Sequence, residues 1–473
     1  MPPKPPISPE QLSALPPEFQ ALLRAVISHY EARISALEAR IAELEGGRGT
    51  PQNSSLPPST QHPHAKPTPK KSKSKKKRGG QVGHKKHERP LRPTDECDDV
   101  QQLKPTECRR CGEKIGGYDP QPLRHQVWEL PEIQPHVTEY QLHRLTCPCG
   151  ATTCAALPPG VPRGQSGPRL IAFTALLMAY YRQSKRRTAE FLTTLLGVPC
   201  CAATTVKMQH QATAAVRVAY EELLAQLPAQ DTLSADETPS KEGPSKVWLW
   251  TFVAKRFTAF ALRDSRAATA IDELLTDQFC GVVSCDRAKM YWRAGRLQWC
   301  WSHLRRDFQA WIEQNDGVVK RLGYDLARAT RQLFEHWGNY RDGTLSRAAL
   351  QRRMAPVKRD VERYLLRGMQ SGQKQLVGTC RELYEHRAWL WEFTRTENVE
   401  PTNNASERAL RHAVIWRKLS FGTQSAAGSR FVETMLSVIE TCRQQQRRVC
   451  DYLTSALQAH FTKRKIPSLL PTV

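Results

Sequence analysis

Three carboxylates stand in settings that suit phosphodiester chemistry. Asp236 closes the apolar run Thr232-Leu-Ser-Ala, and Asp286 closes Gly281-Val-Val-Ser-Cys; both runs read as short strands ending in an acid. Glu407 opens a helix in Asn403-Asn-Ala-Ser-Glu407-Arg-Ala-Leu. Carboxylates held together repel one another and resist ionisation unless cations share the site. Two Mg²⁺ or Mn²⁺ ions about 3.5–4 Å apart would relieve that repulsion, activating an attacking oxygen and stabilising a leaving one. Mg²⁺ keeps several waters, so two or three carboxylates suffice. Plainer roles stay open at each position. Glu237 is an alternative ligand to Asp236, Asp286 can cap a turn, and Asn404-x-x-Glu407 has the spacing of a capping box.

Placing these acids together requires a particular order of elements. Lys246–Ala254 and Phe257–Arg263 read as two strands joined at Lys255-Arg256, a hairpin. Arg266–Phe279 reads as an amphipathic helix. Strand, hairpin, helix and strand in that order match the opening of an RNase H-like fold, in which the first and fourth strands are neighbours. The core is therefore expected in two parts, residues 229–306 and 397–460. Residues 307–396, helical and highly charged, form an all-α insertion between them, and residues 461–473 form a tail. His303, Arg305 and Arg306, in Trp299-Cys-Trp-Ser-His303-Leu-Arg-Arg306, are candidate phosphate contacts, as are Arg408 and Arg411 beside Glu407.

Upstream the texture changes several times. Leu23, Ile27, Tyr30, Ile34, Leu37, Ile41 and Leu44 keep alternating spacings of four and three, the a/d seam of a coiled coil within residues 1–48. Self-association through residues 23–44 is the expectation. Residues 49–95 are rich in Pro, Ser, Gln and Lys and read as a disordered basic linker. Within it Lys75, Lys76, Lys77 and Arg78 can neutralise phosphates without reading sequence. In residues 96–160, Cys108-x-x-Cys111 and Cys147-Pro-Cys149 flank the alternating segment Arg124–Leu145. That is a zinc-ribbon-like pattern, with four thiolates on a structural Zn²⁺. Cys154 is an alternative fourth ligand. Residues 161–228 read as helical, with Ser166–Leu227 helical throughout. Thr188–Pro199 and Ala202–Gln211 there fit either a helix-turn-helix exposing Thr204, Thr205 and Lys207 or a plain helical hairpin.

Composition narrows the class. The net charge of +24 argues for a polyanionic partner, nucleic acid first. No apolar stretch has the length of a membrane span, and the opening Met1-Pro-Pro-Lys-Pro-Pro lacks a signal-peptide core. An intracellular protein is expected, its fourteen cysteines reduced or metal-bound.

The chain resembles transposases of the bacterial insertion sequence sixty-six family. The resemblance rests on the zipper-like helix, Asn53-Ser-Ser-Leu-Pro-Pro-Ser, the lysine-rich linker and the cysteine region. It continues in Ala235-Asp236-Glu237-Thr238-Pro239, Cys300-Trp-Ser-His303-Leu-Arg-Arg306 and Asn403-Asn-Ala-Ser-Glu407-Arg-Ala-Leu-Arg411. The run through Glu407 is the most specific part. The resemblance implies a DDE-type transposase with acids at Asp236, Asp286 and Glu407, cutting and joining DNA at element ends in the cytoplasm, nucleoid-associated, with accessory proteins of the element as partners. Two departures stand out. The family's second acid is usually followed by Gly and Tyr, whereas Arg287 follows Asp286 here and Tyr291 comes later; and the last cysteine pair is contracted. The competing readings are a zinc-containing DNA-binding regulator with an inert RNase H-like domain, and a structure-selective nuclease.

Overall fold

The computed structural model describes residues 15–46 and 89–470. Lys75, Lys76, Lys77 and Arg78 lie outside the described residues. By its internal contacts the chain divides into two units, one of Met1–Pro63, Glu139–Glu190 and Cys200–Val473, the other of His64–Thr138 and Phe191–Pro199.

Helix α1 spans Pro17–Gly46 and carries the heptad residues. Ile27, Tyr30, Ile34 and Leu37 are exposed along it. Around the cysteines, Arg124–His143 forms no strand, contrary to the alternation of its sequence. The paired strands there are β1 (Arg144–Thr146) and β2 (Thr152–Cys154), with a single antiparallel bridge between Glu107 and Lys114. The reason is physical: Val127, Leu130 and Val137 are more than three-quarters exposed, so no core rewards the alternation, and Pro131 and Pro135 remove ladder donors.

The helical stretch expected across Ser166–Leu227 is three helices, α2 (Pro168–Ala179), α3 (Lys185–Leu196) and α4 (Ala202–Ala225). The chain turns through positive φ at Arg182 and Gly197, which no α-helix continues through. Thr205 is buried, its hydroxyl donating to the Ala202 carbonyl at 2.8 Å, and so does not belong to an exposed reading face. Lys207 is exposed as expected.

The core is a five-stranded mixed sheet of β3 (Thr232–Glu242), β4 (Ser245–Val253), β5 (Thr258–Arg263), β6 (Val282–Cys285) and β7 (Leu297–Trp299). Its order is β5-β4-β3-β6-β7. The β3–β4–β5 meander is antiparallel, while β6 and β7 add in parallel beside β3. The first and fourth strands of the sheet sequence are thus neighbours. Helix α5 (Thr269–Leu275), shorter than its sequence suggested, makes the crossover to β6. Strand β3 also departs from expectation. It continues to Glu242, so Asp236 lies mid-strand and not at a strand-end turn. Pro239 sits within this ladder opposite Trp248, its carbonyl accepting from the Arg417 guanidinium.

Four long helices follow β7, α6 (Trp301–Ile312), α7 (Gly317–Arg341), α8 (Arg347–Met369) and α9 (Lys374–Glu385), and then a single helical turn at Glu392–Arg395. Gly323 of α7 permits a close crossing, because a Cβ there would meet the Phe308 carbonyl at 2.9 Å. The chain returns to the sheet with α10 (Asn404–Ser420) and α11 (Ala426–Gln444). Leu249 and Phe260 pack against Ala409, Leu410, Ala413 and Leu436. The outer edge of β5 is covered by hydrogen bonds from α11. Leu262 N–H donates to Glu433 Oε2 at 2.9 Å, Phe260 N–H to Ser437 Oγ at 2.8 Å, and Thr258 N–H to Thr441 Oγ1 at 3.1 Å. Alternate residues of a strand advance about 6.7 Å, and every fourth residue of a helix about 6 Å. Glu433, Ser437 and Thr441 therefore keep step with the strand and satisfy an edge that would otherwise invite another strand. Helix α12 (Val449–Phe461) ends the helical part. The tail beyond it is packed, with Leu469 fully buried and the Tyr452 hydroxyl donating to the Pro467 carbonyl at 2.9 Å. Among the described residues, no helix is long and apolar enough to cross a membrane.

Candidate active site

The register of β3 and β6 brings two of the three acids side by side. Ser234 pairs with Ser284 in parallel. Asp236 and Asp286 each lie two residues further on, and residues two apart share a face of the sheet. The third acid arrives through the start of α10. Ser406 N–H donates to Ser234 Oγ at 3.3 Å, the two hydroxyls are 2.9 Å apart, and Ser406 Oγ donates to the Asn403 carbonyl at 2.8 Å. That clamp sets Glu407 beside the strand that carries Asp236. The capping-box alternative for Glu407 is not formed. The residue before the helix is Asn403, not Asn404, and its side chain makes no cap hydrogen bond.

The electrostatics separate Asp236 from its neighbour Glu237. Burial raises the Asp236 carboxyl well above the usual range, and Glu237, Asp286 and Glu407 raise it further. One backbone donor opposes them, the Glu237 N–H at 2.9 Å from Asp236 Oδ1. Glu237 is also raised by burial, but it has partners that favour its charge. Arg266 meets Glu237 Oε1 at 2.5 Å and the Tyr291 hydroxyl donates to Oε2. Tyr291 is fully buried. Glu237 is therefore a satisfied internal ion pair, and Asp236 is a half-buried acid surrounded by others. Arg266 and Tyr291 had no role in the sequence reading; the late-placed Tyr291 was its one signal.

Arg287, which replaces the expected small residue after Asp286, bonds Asp307 of α6 at 2.8 Å and Glu382 of α9 at 3.4 Å. It ties the segment following Asp286 to the helices between β7 and α10. Asp286 Oδ1 accepts from the Ala288 N–H at 2.8 Å.

Of the cationic candidates, His303 and Arg306 face the acids. His303 Nε2 and Arg306 Nη2 each lie 3.7 Å from Glu407 Oε1. Burial lowers the His303 pKa and Arg306 lowers it further, against the pull of Glu407 and Asp286. Arg305, Arg408 and Arg411 are exposed. Cys300, at the start of α6, is buried, and burial pushes its thiol up to about 11. The Cys300 sulfur, a His303 ring nitrogen and a Glu407 oxygen lie within 4.8 Å of one another. Sequence reasoning gave Cys300 no role, although a Cys-x-x-His step places both on one face of a helix.

The cysteine knuckles are built alike. Cys108 N–H donates to Glu113 O and Gly112 N–H to Cys108 O, at 2.8 and 2.9 Å; Cys147 N–H donates to Ala151 O and Gly150 N–H to Cys147 O, both at 2.8 Å. Gly112 and Gly150 both have positive φ, as such tight turns require. Local hydrogen bonds lower the Cys108 and Cys149 thiols. Cys111, Cys147, Cys149 and Cys154 are exposed.

Fold and site define an α/β protein whose sheet gathers half-buried carboxylates beside cationic side chains. Residues 163–430, more than half of the chain, match the family described as Transposase IS66 family, and the chain belongs to that family. Residues 6–90 match a family of unknown function, DUF6444. A relative from Sinorhizobium fredii (strain NBRC 101917 / NGR234), "Uncharacterized protein y4qI", is 25% identical over 256 residues, 47% of this chain and 46% of that protein. The chain thus spans just under half the length of that relative.

Proposed function

We propose that this protein is a DDE-type DNA transposase that cleaves and joins phosphodiester bonds at the ends of its element. Asp236, Asp286 and Glu407 are its metal-binding acids. The observation that carries the reading is the contrast between Asp236 and Glu237. The first is half-buried among like charges and the second is already neutralised, so the donor set fits divalent cations at Asp236, Asp286 and Glu407. The sheet order supports an RNase H-like core, with the helices between β7 and α10 as its insertion.

Two Mg²⁺ or Mn²⁺ ions would activate the attacking water or 3′-hydroxyl and stabilise the leaving oxygen. The chain's own residues hold the geometry. Asp236 and Asp286 present oxygens from adjacent parallel strands, and the Ser406–Ser234 clamp fixes Glu407 opposite them. Arg306 and His303 place positive charge and a hydrogen-bond donor where a scissile phosphate would lie. Arg305, Arg408, Arg411 and Lys207 add exposed positive charge, and Lys75, Lys76, Lys77 and Arg78 contact phosphates without reading sequence.

Cys108, Cys111, Cys147 and Cys149 hold a structural Zn²⁺, with Cys154 able to replace one of the last pair. The support is that no described residue from 89 to 160 is buried. A segment without an apolar core needs another source of stability, and a metal held by the paired cysteines would supply it. The exposed seam of α1 supports self-association into a coiled coil. Element ends and target DNA are the partners, with accessory proteins, in a bacterial cytoplasm.

Cleavage of labelled element-end DNA with Mg²⁺ or Mn²⁺ tests the reading. Cutting should be lost in Asp236→Asn, Asp286→Asn and Glu407→Gln while DNA binding persists. Binding with no cutting in any form, wild type included, would favour the regulator. Cutting of DNA without element ends would favour a nuclease.

A further inference from the structure

We infer that Cys300, His303 and Glu407 form a second kind of metal site, one for a borderline transition ion of the Zn²⁺ class. The three ligand atoms already lie within 4.8 Å of one another. Zn²⁺ holds sulfur at about 2.3 Å and nitrogen or oxygen at about 2.0–2.2 Å, which puts neighbouring ligands roughly 3–4 Å apart. Small side-chain rotations close the remaining gap.

Two of the ligands are fixed by the fold. The Cys300 N–H donates to the Cys285 carbonyl of β6 at 2.9 Å, and the His303 N–H to the Cys300 carbonyl at 3.1 Å. The two side chains therefore stand one helical turn apart on α6, facing the start of α10. His303 Nδ1 is buried with no hydrogen-bond partner, while Nε2 points to Glu407. Nε2, which faces Glu407 from 3.7 Å, beyond hydrogen-bond distance, is the nitrogen that would take the ion. Both side-chain polar atoms of Asn403, the residue that leads into Glu407's helix and whose backbone bonds Cys300, are buried and unpartnered. Charge also balances. Binding releases the Cys300 proton, and a thiolate, a neutral imidazole and a carboxylate then compensate a divalent ion. Sulfur and imidazole select this class over Mg²⁺, which prefers oxygen alone. The fourth position stays open.

Glu407 is common to this centre and to the carboxylate trio. Where the trio serves catalysis, as proposed above, a transition ion held by Cys300 and His303 withdraws Glu407 from it. Transition ions would then inhibit a Mg²⁺-driven reaction. The site itself stands on its ligands and does not require that reading.

Co²⁺ titration of the full chain, without DNA, tests the site. A Cys-ligated Co²⁺ gives a thiolate charge-transfer band and visible d–d bands. Cys300→Ser should bind one equivalent less than wild type and lose the matching share of the band; His303→Ala should lose the same equivalent. The cysteine knuckles contribute equally to all three and cancel in the difference. Superimposable titrations of wild type and Cys300→Ser, with matched circular dichroism, overturn the proposal. Should Cys300→Ser fail to fold, His303→Ala decides alone. Loss of one equivalent together with a share of the thiolate charge-transfer band supports the site, and an unchanged titration overturns it. Failure of the catalytic reading is separate, since it is read from DNA cutting by Asp236→Asn.

Discussion

The sheet and the cysteine segment both carry clusters of metal-competent side chains, but they are built in opposite ways. Around Asp236 the protein supplies a dense core, with Trp250, Phe252, Tyr291 and Trp299 all fully buried. The acid's environment exists before any cation arrives. Between residues 89 and 160 no described residue is buried, and Leu123, Val127 and Leu130 are largely exposed. There the turns are formed but nothing apolar encloses them. In the first region the apolar core surrounds the clustered side chains; in the second, the proposed Zn²⁺ would have to supply the stability that no core provides.

The largest expected effect sharpens that contrast within two adjacent residues. Asp236→Asn should reduce cutting on the order of 10³-fold or more, as losses of residues acting as a unit do. Glu237→Gln should leave cutting within a few-fold and instead lower the melting temperature, because it breaks the pair with Arg266 and Tyr291. Equal losses of cutting would dissolve the distinction between them.

Metal removal separates the regions next. A strong chelator should expose residues 96–160 to proteolysis while the sheet's thermal transition remains, since structural zinc contributes roughly 10 kcal/mol or more in small zinc-dependent folds. A segment equally resistant with and without chelator would mean the cysteines need no ion.

A packing variant comes third. Ser437→Ala removes the acceptor for the Phe260 N–H at the β5 edge. Leaving that buried donor unsatisfied should cost about 1–3 kcal/mol, read by denaturant unfolding, without changing the cysteine region.

The smallest effect is a pH dependence of the metal-free protein. Asp236 has its carboxyl raised in the fold, so the native state binds more protons than the unfolded chain above the ordinary Asp range. Stability should therefore fall as pH rises from that range through the raised value. Asp236→Asn should flatten the fall, and divalent cations should restore stability to wild type but not to the variant. Thermal scans across mildly acidic to neutral pH, with and without Mg²⁺, would show it; a wild type that gains stability over that span would contradict the burial of an unneutralised acid.

Much of the site was legible in the sequence because it depends on chain order. The runs before Asp236 and Asp286 are short and apolar, the hairpin is alternating and aromatic, and adjacency of the first and fourth strands then sets the two acids together. What failed was reading length and surroundings. The strand through Asp236 was expected to end at that acid, whereas β3 runs on to Glu242; Pro239 is tolerated there because past Ser234 the pairing with β6 has ended and β3 has one strand neighbour. Leu297–Trp299 is too short to show a period, so β7 was missed. Arg124–Leu145 alternates as a strand would, but alternation organises a chain only where one face can be buried. Thr205 looked available on α4 because its burial depends on tertiary packing. Cys300 was passed over because a lone buried cysteine carries no signal until its helix is known to face Glu407.

The most direct test of the central claim is Mn²⁺ binding, followed by the paramagnetic resonance of the free ion as the full chain is titrated. The tight sites of the wild type should be lost or severely weakened in Asp236→Asn, in Asp286→Asn and in Glu407→Gln alike, with circular dichroism unchanged. Undiminished Mn²⁺ binding in all three variants would contradict a metal centre built from these acids.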